Sequence, residues 1–127
     1  MAAKAMREGF HTVTPYLTAR DASGLIEFVR QAFGGIETFR GTGSAGGLHA
    51  EVRIGDSMVM IGGGPTLEEP MPAMLYLYME DVDAAYRRAL AAGATSISEP
   101  ADQPYGERVA GVRDASGNVW YIGTPLT

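Results

Sequence analysis

The chain has 127 residues, a formal net charge of −5 and no cysteine. This length is enough for one domain with a hydrophobic core, and the absence of cysteine excludes disulfide bonds, thiolate metal sites and a cysteine nucleophile. The acidic balance argues against nucleic acid or an anionic membrane as a partner. It suits a neutral or cationic small ligand, and solubility alone would also explain it.

The first ten residues, MAAKAMREGF, mix charged and small side chains and lack the apolar stretch of a signal peptide. The sequence also contains no run of about 18 apolar residues, the length that a membrane-spanning helix requires. We therefore expect a cytoplasmic protein without a membrane partner.

The first half of the chain predicts the order strand, helix and three strands. Apolar residues recur at three- and four-residue spacing after an aspartate that can cap a helix, and alternation marks the strands. The predicted elements are a strand over residues 11–19, a helix capped by Asp21 and ended at Gly34 and Gly35, a strand over 36–40, a Gly/Ser link over 41–47, and a hairpin of strands 48–54 and 58–61.

The second half repeats this order after a segment rich in Gly, Pro and Glu. Its last hairpin turns at Asp114, whose carboxylate is suited to bond turn amides, and at Gly117, which tolerates a positive φ. The predicted elements are a strand over residues 74–79, a helix capped by Asp81 and ended at Gly93, and strands over 95–97, 107–113 and 119–124.

The two halves are related by a constant spacing. The capping residues Asp21 and Asp81 are as far apart in sequence as Arg53 and Arg113, which end equivalent strands. We predict an α+β fold of tandem βαβββ modules, about 11–62 and 73–125, joined by linker 63–72 within a single domain covering 1–127. Side by side, two modules that each carry one helix would form a curved, half-closed mixed sheet around a cavity.

Tyrosine and methionine side chains are predicted to line that cavity. In the strand that begins the second module, alternation separates Leu75 and Leu77, which would pack under the helix, from a Met/Tyr side. Such walls suit flat or apolar ligands, with phenol hydroxyls to orient them. Alternatively, these side chains fill a gap between modules or meet a dimer partner. The predicted ligand-binding residues of this wall are Met60, Met74, Tyr76, Tyr78 and Tyr121.

A polar cluster, His49, Glu51 and Arg53, alternates along one strand and so shares one face. His49 and Glu51 are predicted ligand-binding residues. They could also form a base with its orienting partner, or two ligands of a metal. The alternative is a solvated strand face.

The segment PYGER, where a loop enters the seventh strand, is a candidate ligand lid. Tyr105 and Arg108 are its predicted ligand-binding residues, and Arg108 suits an anionic group. Alternatively, Arg108 forms a surface ion pair with Glu107, which would contribute little stability.

Three segments, ARDASGLIEFVRQAFGG, HAEVRIGDSMVMIG and PYGERVAGVRDASGNVWYIGT, resemble the vicinal oxygen chelate superfamily, and in particular the PhnB-like branch of glyoxalase/bleomycin-resistance/dioxygenase proteins. The resemblance implies paired βαβββ modules and a homodimer with composite cavities. Its members include isomerases, epoxide-opening thiol transferases, ring-cleaving dioxygenases and drug-sequestering resistance proteins, so the resemblance is specific for fold rather than activity.

The resemblance also implies metal ligands on the first and last strand of each module. Those positions fall on Thr14, Met60, Met74 and Tyr121, and none is His, Glu or Asp. We therefore expect no metal and no other cofactor. The function predicted is a metal-free small-molecule-binding protein that encloses an aromatic or cationic ligand in a Tyr/Met-lined cavity. The alternative is a glyoxalase-like lyase or isomerase, or a dioxygenase, using His49 and Glu51 with an off-pattern divalent metal.

Overall fold

The structure, a computed structural model, describes residues 6–43 and 46–127. Part of the N-terminal segment, residues 1–5, and part of the predicted Gly/Ser link, residues 44–45, lie outside the described residues. The predicted tandem βαβββ fold of the α+β class is confirmed. Its elements are β1 Tyr16–Thr18, α1 Ala22–Phe33, β2 Ile36–Thr42, β3 Leu48–Ile54, β4 Ser57–Gly63, β5 Met74–Tyr78, α2 Val82–Ala91, β6 Thr95–Asp102, β7 Glu107–Arg113 and β8 Val119–Pro125.

Both helices begin at the aspartates that the sequence singled out. The Asp21 carboxylate accepts a hydrogen bond from the amide of Gly24 at 2.9 Å, and that of Asp81 accepts one from Ala84 at 3.0 Å. Gly34 ends α1 in the left-handed conformation, with φ of 69°. No helix within 6–43 and 46–127 is long and apolar enough to cross a membrane.

The strands form two four-stranded sheets, in the orders β1-β4-β3-β2 and β5-β8-β7-β6. In each sheet the first strand runs parallel to the last, which pairs Tyr16 with Met60 and Tyr76 with Tyr121. The other pairings are antiparallel. What the sequence predicted as one curved, half-closed sheet is therefore built from two mixed sheets, one per module.

One hydrophobic core joins the modules. The helices α1 and α2 pack against each other, and each covers one face of its own sheet. Trp120 of β8 is fully buried, with its ring 4.9 Å from that of Phe33 and 6.3 Å from that of Phe28, both of α1. Each sheet therefore has one face covered by a helix and one face without helical cover.

The predicted strand bounds differ most at two places. The first strand is shorter than residues 11–19, because Pro15 has no amide to donate and the Thr14 hydroxyl turns back to the His11 carbonyl at 3.1 Å. β6 is longer than residues 95–97 and passes through Pro100. It is an edge strand with two register irregularities, which is where a sheet tolerates proline.

Candidate functional site

The face of the first sheet that has no helical cover, here called the first open face, gathers aromatic, polar and sulfur-containing side chains. Alternation along β3 and β4 directs His49, Glu51 and Met60 to this face, while Val52 and Ile61 enter the core. The members that matter below are Tyr16 of β1, Phe39 of β2, His49 and Glu51 of β3 and Met60 of β4.

Glu51 carries a carboxylate on this face that is only 2% exposed. Its two oxygens accept hydrogen bonds from the Arg7 guanidinium at 2.6 and 2.5 Å, a bidentate ion pair. Arg7 lies in the N-terminal segment that precedes β1. Its side chain is 65% exposed, so the cation covers the carboxylate from the solvent side.

His49 lies between a phenol and this carboxylate. Its Nδ1 is 3.0 Å from the Tyr16 hydroxyl, and its Nε2 is 3.4 Å from Glu51 Oε2. The rings of Tyr16 and Phe39 lie 5.6 and 6.2 Å from the imidazole. This arrangement orients the imidazole, and it can hold a proton between a hydroxyl and a carboxylate.

The corresponding face of the second sheet, here called the second open face, carries Met74, Tyr76, Tyr78, Glu107 and Tyr121. Met74 and Tyr78 are 71% and 66% exposed, and Tyr76 is 42% exposed. The Tyr76 ring centroid lies 5.3 Å from that of Tyr78 and 6.5 Å from that of Tyr121, with which it stacks. These residues form a continuous, accessible aromatic surface.

Glu107 fixes the polar end of this surface. The Tyr76 hydroxyl donates a hydrogen bond to Glu107 Oε1 at 2.5 Å. Burial, and then the Glu107 carboxylate, raise the pKa of Tyr76, and Glu107 raises the pKa of Tyr78. Both phenols therefore stay neutral to higher pH than an ordinary tyrosine, and near pH 7 a ligand meets hydroxyl groups rather than phenolates.

One groove borders a tyrosine of the first open face, and another borders tyrosines of the second open face. One of about 290 Å³ borders Tyr16 and the linker residues Thr66 and Leu67. The other, of about 560 Å³, borders Tyr76 and Tyr78 where β5 meets the turn after β3. The two grooves have no lining residue in common. The predicted Tyr/Met residues are divided between the two sheets, with Met60 in the first and Met74, Tyr76, Tyr78 and Tyr121 in the second.

Two predicted residues of the PYGER loop lie apart from one another. Tyr105 is exposed in the turn before β7. Arg108 is on the helix side of β7, where Asp83 of α2 holds its guanidinium at 2.7 and 2.9 Å and Asp102 holds it at 3.0 Å. Arg108 is thus not brought to the second open face, and the carboxylate beside it in sequence, Glu107, bonds Tyr76 instead of Arg108.

The four positions at which the resemblance implied metal ligands do not supply a suitable donor set. The Thr14 hydroxyl is turned to the His11 carbonyl, and the other three positions offer two thioethers and a phenol. Among the described residues no group of three His, Asp or Glu could hold a metal ion. His49 and Glu51 are a pair of donors, and Arg7 already occupies the carboxylate.

The sequence pattern did not single out Tyr16 and Phe39 of the first open face, or Arg7, which binds Glu51 on that face. Tyr16 could have been predicted from the sequence repeat, because it occupies in the first module the place of Tyr76 in the second. Phe39 could not have been predicted, since its orientation depends on the bulge between Glu37 and Phe39. Arg7 binds Glu51 from a segment without periodicity, so no local sequence pattern predicts this ion pair.

Two kinds of similarity to known proteins, a family profile and a related sequence, cover most of the chain. The sequence profile described as "Glyoxalase/Bleomycin resistance protein/Dioxygenase superfamily" matches residues 9–122. The uncharacterized protein Mb0911c of Mycobacterium bovis is 36% identical over 126 residues, which cover 90% of this chain and 83% of that protein.

Among solved structures, TioX from Micromonospora sp. ML1 is similar with a TM-score of 0.74 and 25% identity, covering 91% of this chain and 99% of that one. TnmS3, an antibiotic binding protein from Streptomyces sp. CB03234, is similar with a TM-score of 0.73 and 23% identity, covering 97% of this chain and 99% of that one.

Proposed function

The chain belongs to the Glyoxalase/Bleomycin resistance protein/Dioxygenase superfamily, and from this premise we propose that it is a metal-free small-molecule-binding protein that encloses an aromatic or cationic ligand. The observation that carries the proposal is the second open face, where Tyr76, Tyr78 and Tyr121 form one accessible aromatic surface. Exposed aromatic surface of this kind is typical of a binding site.

The chemistry of this face indicates which ligands suit it. Planar aromatic compounds gain stacking contacts with the tyrosine rings, and the Met74 side chain adapts to irregular shapes. Cations are also favoured, because a positive group over a phenol ring is attracted to its π-electrons and the chain carries a net charge of −5. Tyr76, held by Glu107, supplies the oriented polar group.

The fold similarity to TnmS3 supports this direction only at the level of architecture. That protein is described as an antibiotic binding protein and shares 23% identity with this chain. A fold of this kind is therefore compatible with holding a small molecule, while the ligand of this chain must be argued from its own side chains.

We further propose that two copies of the chain, each acting as one domain, complete the binding sites as a homodimer. In one chain the two open faces are separate surfaces with large exposed apolar residues, among them Phe39 and Tyr78. A two-fold arrangement would place the first open face of one protomer over the second open face of the other, twice. Each composite cavity would then enclose a ligand that neither face encloses alone.

The test is calorimetric titration of protein dialysed against a chelator with two ligands of equal shape, neutral 2-naphthamide and cationic 2-naphthamidine. Both are expected to bind, and Tyr78→Ala should weaken binding about tenfold through lost stacking. Met71→Ala, which removes a similarly exposed apolar side chain from the linker, is the control. Failure of both compounds to bind the chelator-treated protein would overturn the proposal.

The contact of His49 with Glu51 and Tyr16 favours a second candidate, a lyase, isomerase or dioxygenase with a divalent metal bound off the usual positions. Titration of the same protein with manganese, zinc and nickel distinguishes the two. Binding of one metal per chain that is lost in His49→Ala would favour the enzyme. Ligand binding that is indifferent to metal would favour the binding protein.

A further inference from the structure

We infer that the Glu51 carboxylate is a subsite for a planar organic cation, a guanidinium or amidinium group of the ligand, and that Arg7 occupies this subsite as an internal competitor. The inference rests on the proposed function and deepens it, because it assigns the charged end of the ligand to one carboxylate and the aromatic part to the open faces. It also gives Arg7 a role in controlling access to the carboxylate.

The Glu51 carboxylate depends on a cationic partner. With Arg7 in place the Glu51 side chain is 2% exposed, and an ionised carboxylate that is covered in this way requires a partner. His49 Nε2, at 3.4 Å, is farther away than an ordinary hydrogen bond to a carboxylate. The strong partner is the guanidinium of Arg7, so a cation at this position is part of the stable state.

The segment that carries Arg7 is exposed, and its backbone hydrogen bond closes within the segment itself. The Arg7 side chain is 65% exposed, and its backbone carbonyl accepts a hydrogen bond from the amide of Phe10, within the same short segment. The guanidinium also lies 5.2 Å from the centre of the Phe10 ring. Residues 6–9 are exposed. Arg7 can therefore withdraw without breaking strand pairing or exposing core.

The bidentate geometry at Glu51 selects the shape of the group that can replace Arg7. Two carboxylate oxygens each accept one hydrogen bond from a separate guanidinium nitrogen, at 2.6 and 2.5 Å. This parallel pair matches a planar group with two N–H donors on one edge, which a simple ammonium does not have.

Competition has a measurable consequence. While Arg7 is bound, the subsite is open in only a fraction of molecules, and the apparent affinity for an external cation is reduced by that fraction. Removing Arg7 should therefore tighten the binding of amidinium ligands while it leaves neutral ligands unaffected.

The experiment titrates 2-naphthamidine and 2-naphthamide into the full chain and three variants. We expect Arg7→Ala to raise the affinity for 2-naphthamidine about tenfold. The affinity for 2-naphthamide should stay within about twofold of that of the unmodified chain. Arg53→Ala, which removes an exposed cation from the same strand as Glu51, controls for net charge and should change neither by more than about twofold. Glu51→Gln, with folding checked by circular dichroism, should lose the preference for the amidine.

The inference is overturned if Arg7→Ala binds 2-naphthamidine no more tightly than the unmodified chain, or if Arg53→Ala tightens it equally. It fails alone, with the proposed function intact, if 2-naphthamide binds and is weakened by Tyr78→Ala while Arg7→Ala has no effect on the amidine. If neither compound binds any variant, both the inference and the proposed function are wrong.

Discussion

The ring of Tyr76 lies flat across Gly123 of the neighbouring strand, so that a Cβ atom added to this glycine would meet the hydroxyl and lie 2.8 Å from two ring carbons. The first module repeats the relationship, since a Cβ at Gly62 would lie 3.1 Å from two ring carbons of Tyr16. Contacts this short force a neighbour to move. The missing side chains of these two glycines therefore allow the tyrosines to lie flat on both open faces.

Replacing Gly123 with alanine should turn Tyr76 away from the second open face and break its hydrogen bond to Glu107. We expect the affinity for 2-naphthamide to fall about tenfold, because one stacking surface and one oriented hydroxyl are lost. Calorimetry measures the change. Gly64→Ala, where an added Cβ approaches its neighbour at 3.8 Å, should keep full affinity. Equal affinities in the two variants would contradict the role given to Tyr76.

Removing the charge of Glu107 should make two phenols ionise at lower pH. The pKa of Tyr76 is raised by burial and by Glu107, and that of Tyr78 chiefly by Glu107. In Glu107→Gln both should move towards the ordinary tyrosine value of about 10. Carbon NMR of the tyrosine Cζ atoms resolves the individual titrations. Glu99→Gln, a change at an exposed acid of β6, should leave them in place.

The same shift predicts how stability depends on alkaline pH. A raised folded-state pKa means that the neutral phenol of Tyr76 is favoured by folding, and this contribution is complete below about pH 10, where unfolded tyrosine begins to ionise. This contribution to stability is lost as the pH rises through the pKa of Tyr76 in the folded protein. Urea unfolding should therefore show less loss of stability above pH 10 in Glu107→Gln than in the unmodified chain, and an equal slope would contradict the assignment.

Much of the fold was predictable because its determinants are local. Asp21 and Asp81 cap the helices through amides three residues away, and alternation separates core from open face within each strand. The bounds of β1 and β6 were not, because pairing at a sheet edge is decided by the neighbouring strand. The sequence pattern does not reveal the register irregularities that let β6 pass through Pro100.

The candidate site was predictable only in part, for a related reason. Strand alternation places Met74, Tyr76 and Tyr78 together, since they share one strand and one face. It cannot tell that Arg108 is drawn to the helix side by Asp83, or that Arg7 crosses to Glu51, because these ion pairs join segments distant in sequence. Long charged side chains have many reachable partners, and only tertiary packing selects one.

The ion pair of Arg108 and Asp83 should contribute to stability at neutral pH and disappear in acid. The hydrogen bonds from Arg108 hold the pKa of Asp83 below its usual range. A lowered folded-state pKa gives stability that is present above the unfolded value of about 3.9 and is lost as the pH falls through the folded value. Arg108→Ala should make urea stability less dependent on pH between about 5 and 2. Arg113→Ala, at an exposed site of β7, should preserve the original dependence.

Asp114 should be essential to the last hairpin. Its carboxylate accepts hydrogen bonds from the amides of Ser116 and Asn118 and from the Trp120 indole at 2.8 Å, all at a buried site. Asp114→Asn places an amide donor against these donors, and we expect a loss of about 2–4 kcal/mol in unfolding free energy. Guanidinium unfolding followed by the fluorescence of Trp120 measures it. Asp56→Asn in the exposed turn of the first hairpin should cost less than about 0.5 kcal/mol.

The proposed homodimer makes a prediction that a monomeric binding protein would not share. If the second open face is covered by the first open face of a partner, Tyr78→Lys introduces a charge into an apolar interface and should shift sedimentation equilibrium from dimer to monomer. Ala91→Lys adds the same charge on the exposed surface of α2, where lysine is well tolerated, and should remain dimeric. Loss of the dimer should also weaken the binding of 2-naphthamide, because each composite cavity then keeps only one of its walls. A monomer in the unmodified chain, or a Tyr78→Lys variant that stays dimeric, would remove the partner from the binding site and leave the ligand on a single open face.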